Sequence, residues 1–172
     1  MAKTRSLDRR RFLEGALAAS TTAACARKSV PRPLSESEMA TLTAICDQMI
    51  PADQDPGGAW AGVANYIDRQ LRGPYREHTE AYHQGLAEVD RRAGGSYRTL
   101  ARAQQLDVLN QMDRDQATRG FVSLVAAHSI QGYYGNPRHG GNRDYCSWRM
   151  LGVPASPVRG RDGYDFTKGN PA

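Results

Sequence analysis

The residues best suited to chemistry in this 172-residue chain are its histidines and cysteines. His128, His139 and Cys146 could be drawn as a zinc site, but they follow none of the usual zinc-ligand spacings. His128 and Asp144 would make an acid–base pair if the fold brought them together. A third interpretation, which we favour, places His128 on the apolar face of a helix as a hydrogen-bonded core residue. We therefore predict no catalytic and no metal-binding residue.

The short motifs by which proteins hold redox cofactors are also missing from the sequence. It has no Gly-x-Gly-x-x-Gly turn, no phosphate-binding P-loop and no Cys-x-x-Cys-His haem site. We expect this chain to bind no redox cofactor by itself.

Residues 128–152 have a composition that differs from the rest of the chain. They read HSIQGYYGNPRHGGNRDYCSWRMLG, and their glycines and Asn136-Pro137 permit tight turns. Tyrosine, tryptophan and arginine are enriched at the centres of protein interfaces, so the segment indicates a partner-contacting loop. The alternative is a cap folded over the domain's own core, with the tyrosine hydroxyls bonded internally. The predicted contact residues are Tyr133, Tyr134, Arg138, Arg143, Tyr145 and Trp148.

Five amphipathic helical patterns must position these residues. The first begins at the capping box Ser35–Glu38 and stops at Pro51; the others span about 60–71, about 75–93, about 101–114 and about 115–131. No alternating strand pattern accompanies them, so the sequence predicts an all-α domain with an irregular C-terminal segment. The residues expected to face inward from the second to the fifth helix include Trp60, Val63, Ile67, Leu71, Tyr75, Tyr82, Leu86, Val89, Leu106, Leu109, Met112, Phe121, Leu124, Val125 and His128.

The first 25 residues have the order of an export signal. Basic residues precede a short, weakly apolar, alanine-rich run, and Arg9-Arg10 followed by Phe12-Leu13 is typical of the twin-arginine signal. The expected location is therefore the periplasm. Cleavage is open between two routes: acylation of Cys25, which would tether the chain to a membrane surface, or release of a soluble product.

Charge and domain organisation follow from this signal. Of the net charge of +5, the first 25 residues hold +3, so the remaining chain has no large positive excess for nucleic acid. Uninterrupted apolar runs are too short for a transmembrane helix. We divide the chain into a signal (1–25), a linker (26–34) and one helical domain (35–172).

The two cysteines of the expected mature domain leave two alternatives open. In an oxidising compartment Cys46 and Cys146 could form a disulfide, which would stabilise the fold by about 4–5 kcal/mol. The alternative is a pair of buried free thiols, since the sequence does not give the distance between them.

Two segments resemble a known family, that of gluconate 2-dehydrogenase subunit 3. Residues 42–71, LTAICDQMIPADQDPGGAWAGVANYIDRQL, are similar to its first two helices. Residues 128–154 resemble its most distinctive motif, His-Thr-x-x-Gly-aromatic-aromatic-Gly-Asp-Pro-x-Tyr-Gly-Gly-Asn followed by Trp-x-x-Leu-Gly-x-Pro. The departures are Ser129 for Thr, Asn136 for Asp, His139 for Tyr and Met150 before Leu151.

The resemblance implies a non-catalytic small subunit of an exported sugar or sugar-acid dehydrogenase complex. In such complexes a large FAD-containing subunit of the glucose-methanol-choline type oxidises the sugar, and a multihaem cytochrome c usually accepts the electrons. The small subunit is thought to help the large one fold and cross the membrane. Two alternatives remain: the small subunit of a glucoside 3-dehydrogenase-type complex, and a lipid-anchored binding protein without a flavoenzyme partner.

Overall fold

The computed structural model describes residues 32–153, and these form an all-α domain without strands. The predicted twin-arginine signal with Arg9, Arg10, Phe12 and Leu13, the lipidation candidate Cys25, and residues 154–172 lie outside the described residues. The six helices are α1 (Glu36–Met49), α2 (Val63–Leu71), α3 (Thr79–Arg92), α4 (Arg102–Arg114), α5 (Arg119–Tyr134) and α6 (Cys146–Met150). Short 3-10 helices cover Arg76–His78, Tyr97–Thr99, Pro137–His139 and Arg143–Tyr145.

The predicted capping box begins α1. The backbone N–H of Glu38 donates to the Ser35 hydroxyl, and the Glu38 carboxylate accepts from the backbone N–H of Ser35 at 2.8 Å. Two of the free N–H groups at the helix start are thereby satisfied. The helix ends immediately before Ile50 and Pro51, as predicted.

Helix α5 is the centre of the domain and packs against each of the other five helices. Its buried residues recur at three- and four-residue steps, which makes one apolar face along most of its length. They are Val122, Val125, His128, Ser129, Gly132 and Tyr133. The segment 128–152 starts within α5 and continues directly after it, so the core fixes the position of that segment.

Two inward predictions are wrong, and a third residue lies outside its predicted helix. Trp60 lies in the turn before α2 and is 44% exposed, because that helix starts only at Val63. Tyr75 precedes α3 but is half-buried and packs against the core, as predicted. Leu106 is exposed on α4, whose buried face instead includes Gln105, a polar residue that bonds the Tyr97 carbonyl oxygen.

The packed domain begins earlier than Ser35. Leu34 is fully buried, and the Arg32 guanidinium lies 3.6 Å from the buried carboxylate of Asp68 in α2. The last residues of the predicted linker are therefore part of the core. No helix within residues 32–153 has both the length and the apolar character needed to cross a bilayer.

Candidate partner-docking surface

Glycines allow the segment after α5 to fold back onto that helix. A Cβ atom on Gly141 would lie 2.1 Å from the carbonyl oxygen of Gly132, a distance that no side chain tolerates. A Cβ atom on Gly132 would in turn lie 2.8 Å from the Tyr66 ring. The backbone of this segment is therefore in direct contact with the backbone of α5. Its glycines permit this close contact as well as the tight turns.

Asn142 fixes the shape of this segment from inside. Its side chain is fully buried, donates to the Gly135 carbonyl oxygen at 2.8 Å, and accepts from the backbone N–H of Ser147 at 3.0 Å. The Cys146 thiol contacts the same amide oxygen at 3.6 Å. The amide of Asn142 thus joins the end of α5 to the start of α6. The sequence had indicated only that Asn142 belongs to a turn.

The backbone around Asn142 is strained. Asn142, Asp144 and Tyr145 have φ angles of 46°, 51° and 57°, in the left-handed region that non-glycine residues rarely occupy. Each such residue costs on the order of 1 kcal/mol or more, so the surrounding contacts must hold the segment in place. Strain of this kind is concentrated at functional sites, which supports a role for the side chains that the segment displays.

Arg143, the residue in the middle of this strained segment, is exposed and stacked. Its Cζ lies 5.4 Å from the centroid of the Trp60 ring, a cation–π contact, and its backbone N–H donates to the Ala61 carbonyl oxygen at 3.1 Å. Trp60, which the sequence placed on an inner helix face, is thereby brought onto the same surface as the predicted contact residue Arg143.

The end of α5 and α6 present the other aromatic contact residues. The Trp148 indole N–H donates to the Tyr134 carbonyl oxygen at 2.8 Å, and the Tyr145 and Trp148 rings have centroids 5.5 Å apart. Tyr134 is exposed, whereas Tyr145 and Trp148 are half-buried. Three of the predicted contact residues are therefore grouped at one end of the domain.

Large apolar side chains are exposed mainly at this end. Seven are exposed among residues 32–153, and only Leu106 and Ile130 lie outside the turn before α2 and the region that begins at Tyr134. We define the docking surface by its described residues: Trp60, Tyr134, Arg143, Tyr145, Trp148, Met150, Leu151 and Val153. Concentrated apolar exposure rimmed by polar groups is typical of protein contact sites.

Tyr133 does not belong to this surface, which corrects the sequence prediction. It is 3% exposed, and its hydroxyl donates to the Pro56 carbonyl oxygen at 2.6 Å, while burial raises its pKa to about 12. Tyr133 therefore links the loop before α2 to α5. This is the arrangement expected from the alternative in which the segment caps the domain's own core and the tyrosine hydroxyls are bonded internally. Arg138 is exposed beside this surface, and its carbonyl oxygen accepts from the Arg69 guanidinium at 2.8 Å.

The histidine that the sequence offered as a general base is a core residue. His128 is buried, its Nδ1 lies 2.9 Å from the Tyr82 hydroxyl, and its ring stacks on Tyr75 with centroids 4.4 Å apart. Burial and the neighbouring His78 lower the pKa of His128, which favours its neutral form. Asp144 is not among its partners, and residues 32–153 contain no cluster of three side chains suited to a metal ion.

Cys46 and Cys146, the cysteines among residues 32–153, are buried free thiols, so the disulfide considered from the sequence is not formed in the structure. Cys46 Sγ lies 3.7 Å from the Ser129 hydroxyl, and Cys146 Sγ contacts Asn142. Burial raises the pKa of Cys46 to about 12 and that of Cys146 above its usual value, so neither is a reactive thiolate.

Comparison with known proteins gives one match. The family model for gluconate 2-dehydrogenase subunit 3 matches residues 36–154, which is more than half of the chain and includes all six helices. No curated protein matches, and no solved structure matches. The matched range includes the docking surface and the strained segment behind it. The chain therefore belongs to the gluconate 2-dehydrogenase subunit 3 family and is a subunit of a gluconate 2-dehydrogenase-type complex.

Proposed function

We propose that this chain is the non-catalytic small subunit of an exported FAD-dependent sugar or sugar-acid dehydrogenase. In this proposal the partner is a large flavoprotein of the glucose-methanol-choline type, which holds FAD and oxidises the sugar. A multihaem cytochrome c is the electron acceptor and third subunit. The role of this chain is to support the folding, stability and export of the flavoprotein.

The docking surface is the observation that carries the proposal. Exposed apolar side chains at one end of a small domain cost solubility unless a partner covers them. Leu151 is 57% exposed and Val153 47%, and both follow directly on the aromatic residues of α6. A surface of this composition, with aromatic and apolar side chains around an arginine, is typical of the centre of a protein interface and therefore favours a subunit contact.

The interior supports a structural role in a second way. Two buried polar side chains that could do chemistry or bind a ligand bond within the fold instead: His128 to Tyr82, and Asn142 to Gly135 and Ser147. Such bonds stabilise a fold, and they occupy the His128 Nδ1 that a general base would use.

The export role rests on residues 1–25. The twin-arginine route carries folded proteins, so a small subunit with the signal could carry a bound flavoprotein that has none. Acylation at Cys25 would then hold the complex on the periplasmic side of a membrane, and cleavage without acylation would release it. The substrate is a sugar acid such as gluconate or a glucoside oxidised at its 3-position.

Affinity purification of the tagged full-length chain from its native cells tests the proposal. We expect one large partner with the absorption spectrum of bound flavin and the peptide sequence of a glucose-methanol-choline oxidoreductase. Recovery of the chain alone from cells that contain that flavoprotein would contradict the proposal.

A second experiment addresses export. Changing Arg9 and Arg10 together to lysine should leave both this chain and the flavoprotein in the cytoplasm, because the signal acts for the complex. The matched control changes Arg27 and Lys28, which lie beyond the signal, and should leave both proteins exported. Periplasmic flavoprotein in the Arg9/Arg10 variant would refute the carrier role.

A further inference from the structure

Arg143 is a cation that has no counter-ion among residues 32–153. The Trp60 ring lies under its guanidinium and the Ala61 carbonyl oxygen holds its backbone. Within residues 32–153 its side chain makes no hydrogen bond and no ion pair. The guanidinium donors are therefore free, while the strained backbone on both sides limits where they point.

Trp60 also lines a cleft. It measures about 250 Å³ and is lined by Asp55, Pro56, Trp60, Cys146 and Arg149. The Arg149 guanidinium donates to the Asp144 carbonyl oxygen and pairs with no carboxylate among the described residues. The cleft wall thus combines apolar side chains with one carboxylate, that of Asp55, and one cation, that of Arg149.

Burial of this surface would be costly for Arg143 unless the partner supplies a charge. A docked protein that covers Trp60 must also cover the guanidinium stacked on it, and a desolvated cation without a counter-ion costs several kcal/mol. The carboxylates of the neighbouring segments, those of Asp53, Asp55 and Asp144, form no ion pair with Arg143. Since no carboxylate of residues 32–153 pairs with Arg143, this surface is suited to a partner that supplies the counter-charge.

We propose that Arg143 and Trp60 form the anchor for an acidic contact segment of the flavoprotein subunit, an inference that rests on the proposed function. A carboxylate of that segment binds the Arg143 guanidinium through two parallel N–H···O bonds. A neighbouring apolar side chain of the same segment enters the cleft beside Trp60. Arginine suits this role better than lysine because its planar fork matches a carboxylate.

A zero-length cross-link locates the carboxylate. The sequence between residues 32 and 153 contains no lysine, so Arg143→Lys places a single primary amine in the described domain. Treating its complex with the flavoprotein with a carbodiimide should join position 143 to one Asp or Glu of the flavoprotein, identified by peptide mass spectrometry. The control is Arg98→Lys, at an exposed position between α3 and α4, which should give no such cross-link.

Affinity measurements give an independent readout. Arg143→Gln should weaken binding of the purified flavoprotein subunit about 30-fold or more, because it leaves the partner's carboxylate buried and unpaired. Arg98→Gln should change binding by no more than about twofold. Thermal unfolding of each variant confirms that the fold is intact.

The outcomes separate this inference from the proposed function. Wild-type binding with a cross-link at position 143 and a weakened Arg143→Gln supports the anchor. Wild-type binding that Arg143→Gln leaves within about twofold overturns the anchor and leaves the subunit role standing. Failure of the wild-type chain to bind the flavoprotein overturns both.

Discussion

Asn142 determines the docking surface more directly than any exposed residue does. It tolerates a left-handed φ of 46° and uses both ends of its amide on backbone groups of separate segments. Asparagine is among the few non-glycine residues that adopt this conformation readily. Because Arg143, Asp144 and Tyr145 follow it, its loss would release the surface as well as weaken the fold.

Replacing Asn142 with alanine should destabilise the domain by about 2–4 kcal/mol, since it leaves buried backbone groups unsatisfied and opens a cavity. Urea unfolding followed by circular dichroism measures this change. Asn110→Ala, at an exposed position of α4, is the control and should cost less than about 0.5 kcal/mol. Equal stabilities of the two variants would show that Asn142 is not the structural centre of the segment.

His128 makes a second prediction at the residue scale. Burial and His78 lower its pKa in the folded state, so below the ordinary value of about 6.5 the unfolded chain binds more protons than the folded one. The contribution of neutral His128 to the free energy of unfolding is therefore fully present above about pH 6.5 and decreases as the pH falls below that value. His128→Gln removes the titrating group but keeps a hydrogen-bonding side chain opposite Tyr82.

The free energy of unfolding, measured by urea titration between pH 5 and 8, should fall more steeply below about pH 6.5 in the wild type than in His128→Gln. His139→Gln removes a histidine outside this core network and should retain the wild-type pH profile. Identical profiles for the wild type and His128→Gln would contradict the assignment of a buried neutral imidazole.

At the scale of elements, helices with strong local signals were predictable from the sequence. The capping box and Pro51 are local signals, and they define the two ends of α1. Helices α2 to α5 followed from apolar spacing to within four residues at each end: α3 and α5 begin four residues after their predicted starts, and α5 extends to Tyr134. The short helix α6 was not predicted and lies in the segment that was expected to be irregular.

The errors arose where tertiary contacts outweighed local pattern. Gln105 is buried in place of Leu106 because its amide bonds Gln48 and the Tyr97 backbone. Trp60 is exposed because the turn before α2 turns it toward Arg143. The sequence predicted which segment forms the candidate site and which residue types it contains. It could not show that Tyr134 is exposed while Tyr133 is buried, because the burial of Tyr133 depends on a tertiary contact with Pro56.

The boundary of the domain gives a prediction at the scale of elements. Leu34 lies in a segment that the sequence assigned to a linker, yet it is 1% exposed. Leu34→Ala should cost about 2–5 kcal/mol of unfolding free energy, as for other fully buried leucines. Leu106→Ala is the matched control on an exposed position and should cost less than about 1 kcal/mol. A Leu34→Ala variant as stable as the control would show that Leu34 belongs to the linker and contributes nothing to the core.

At the scale of the whole molecule, the domain is a rigid support for one contact surface. Helix α5 joins the core to the strained segment, and the buried Asn142 and the glycines hold that segment against it. Tyr133 holds the loop before α2 against the same helix. His128, the residue best suited to acid–base chemistry, is bonded to Tyr82 within the core. Membership of the gluconate 2-dehydrogenase subunit 3 family makes the chain one subunit of a gluconate 2-dehydrogenase-type complex.

Native mass spectrometry of the complex with the flavoprotein tests this account most directly. We expect the wild-type chain to appear in one assembly with the FAD-containing subunit. A Tyr134→Ser/Leu151→Asp variant, which changes two exposed residues of the docking surface, should appear as a folded free chain. The account would be contradicted if that variant assembled as fully as the wild type, or if the isolated wild-type chain carried the flavin itself.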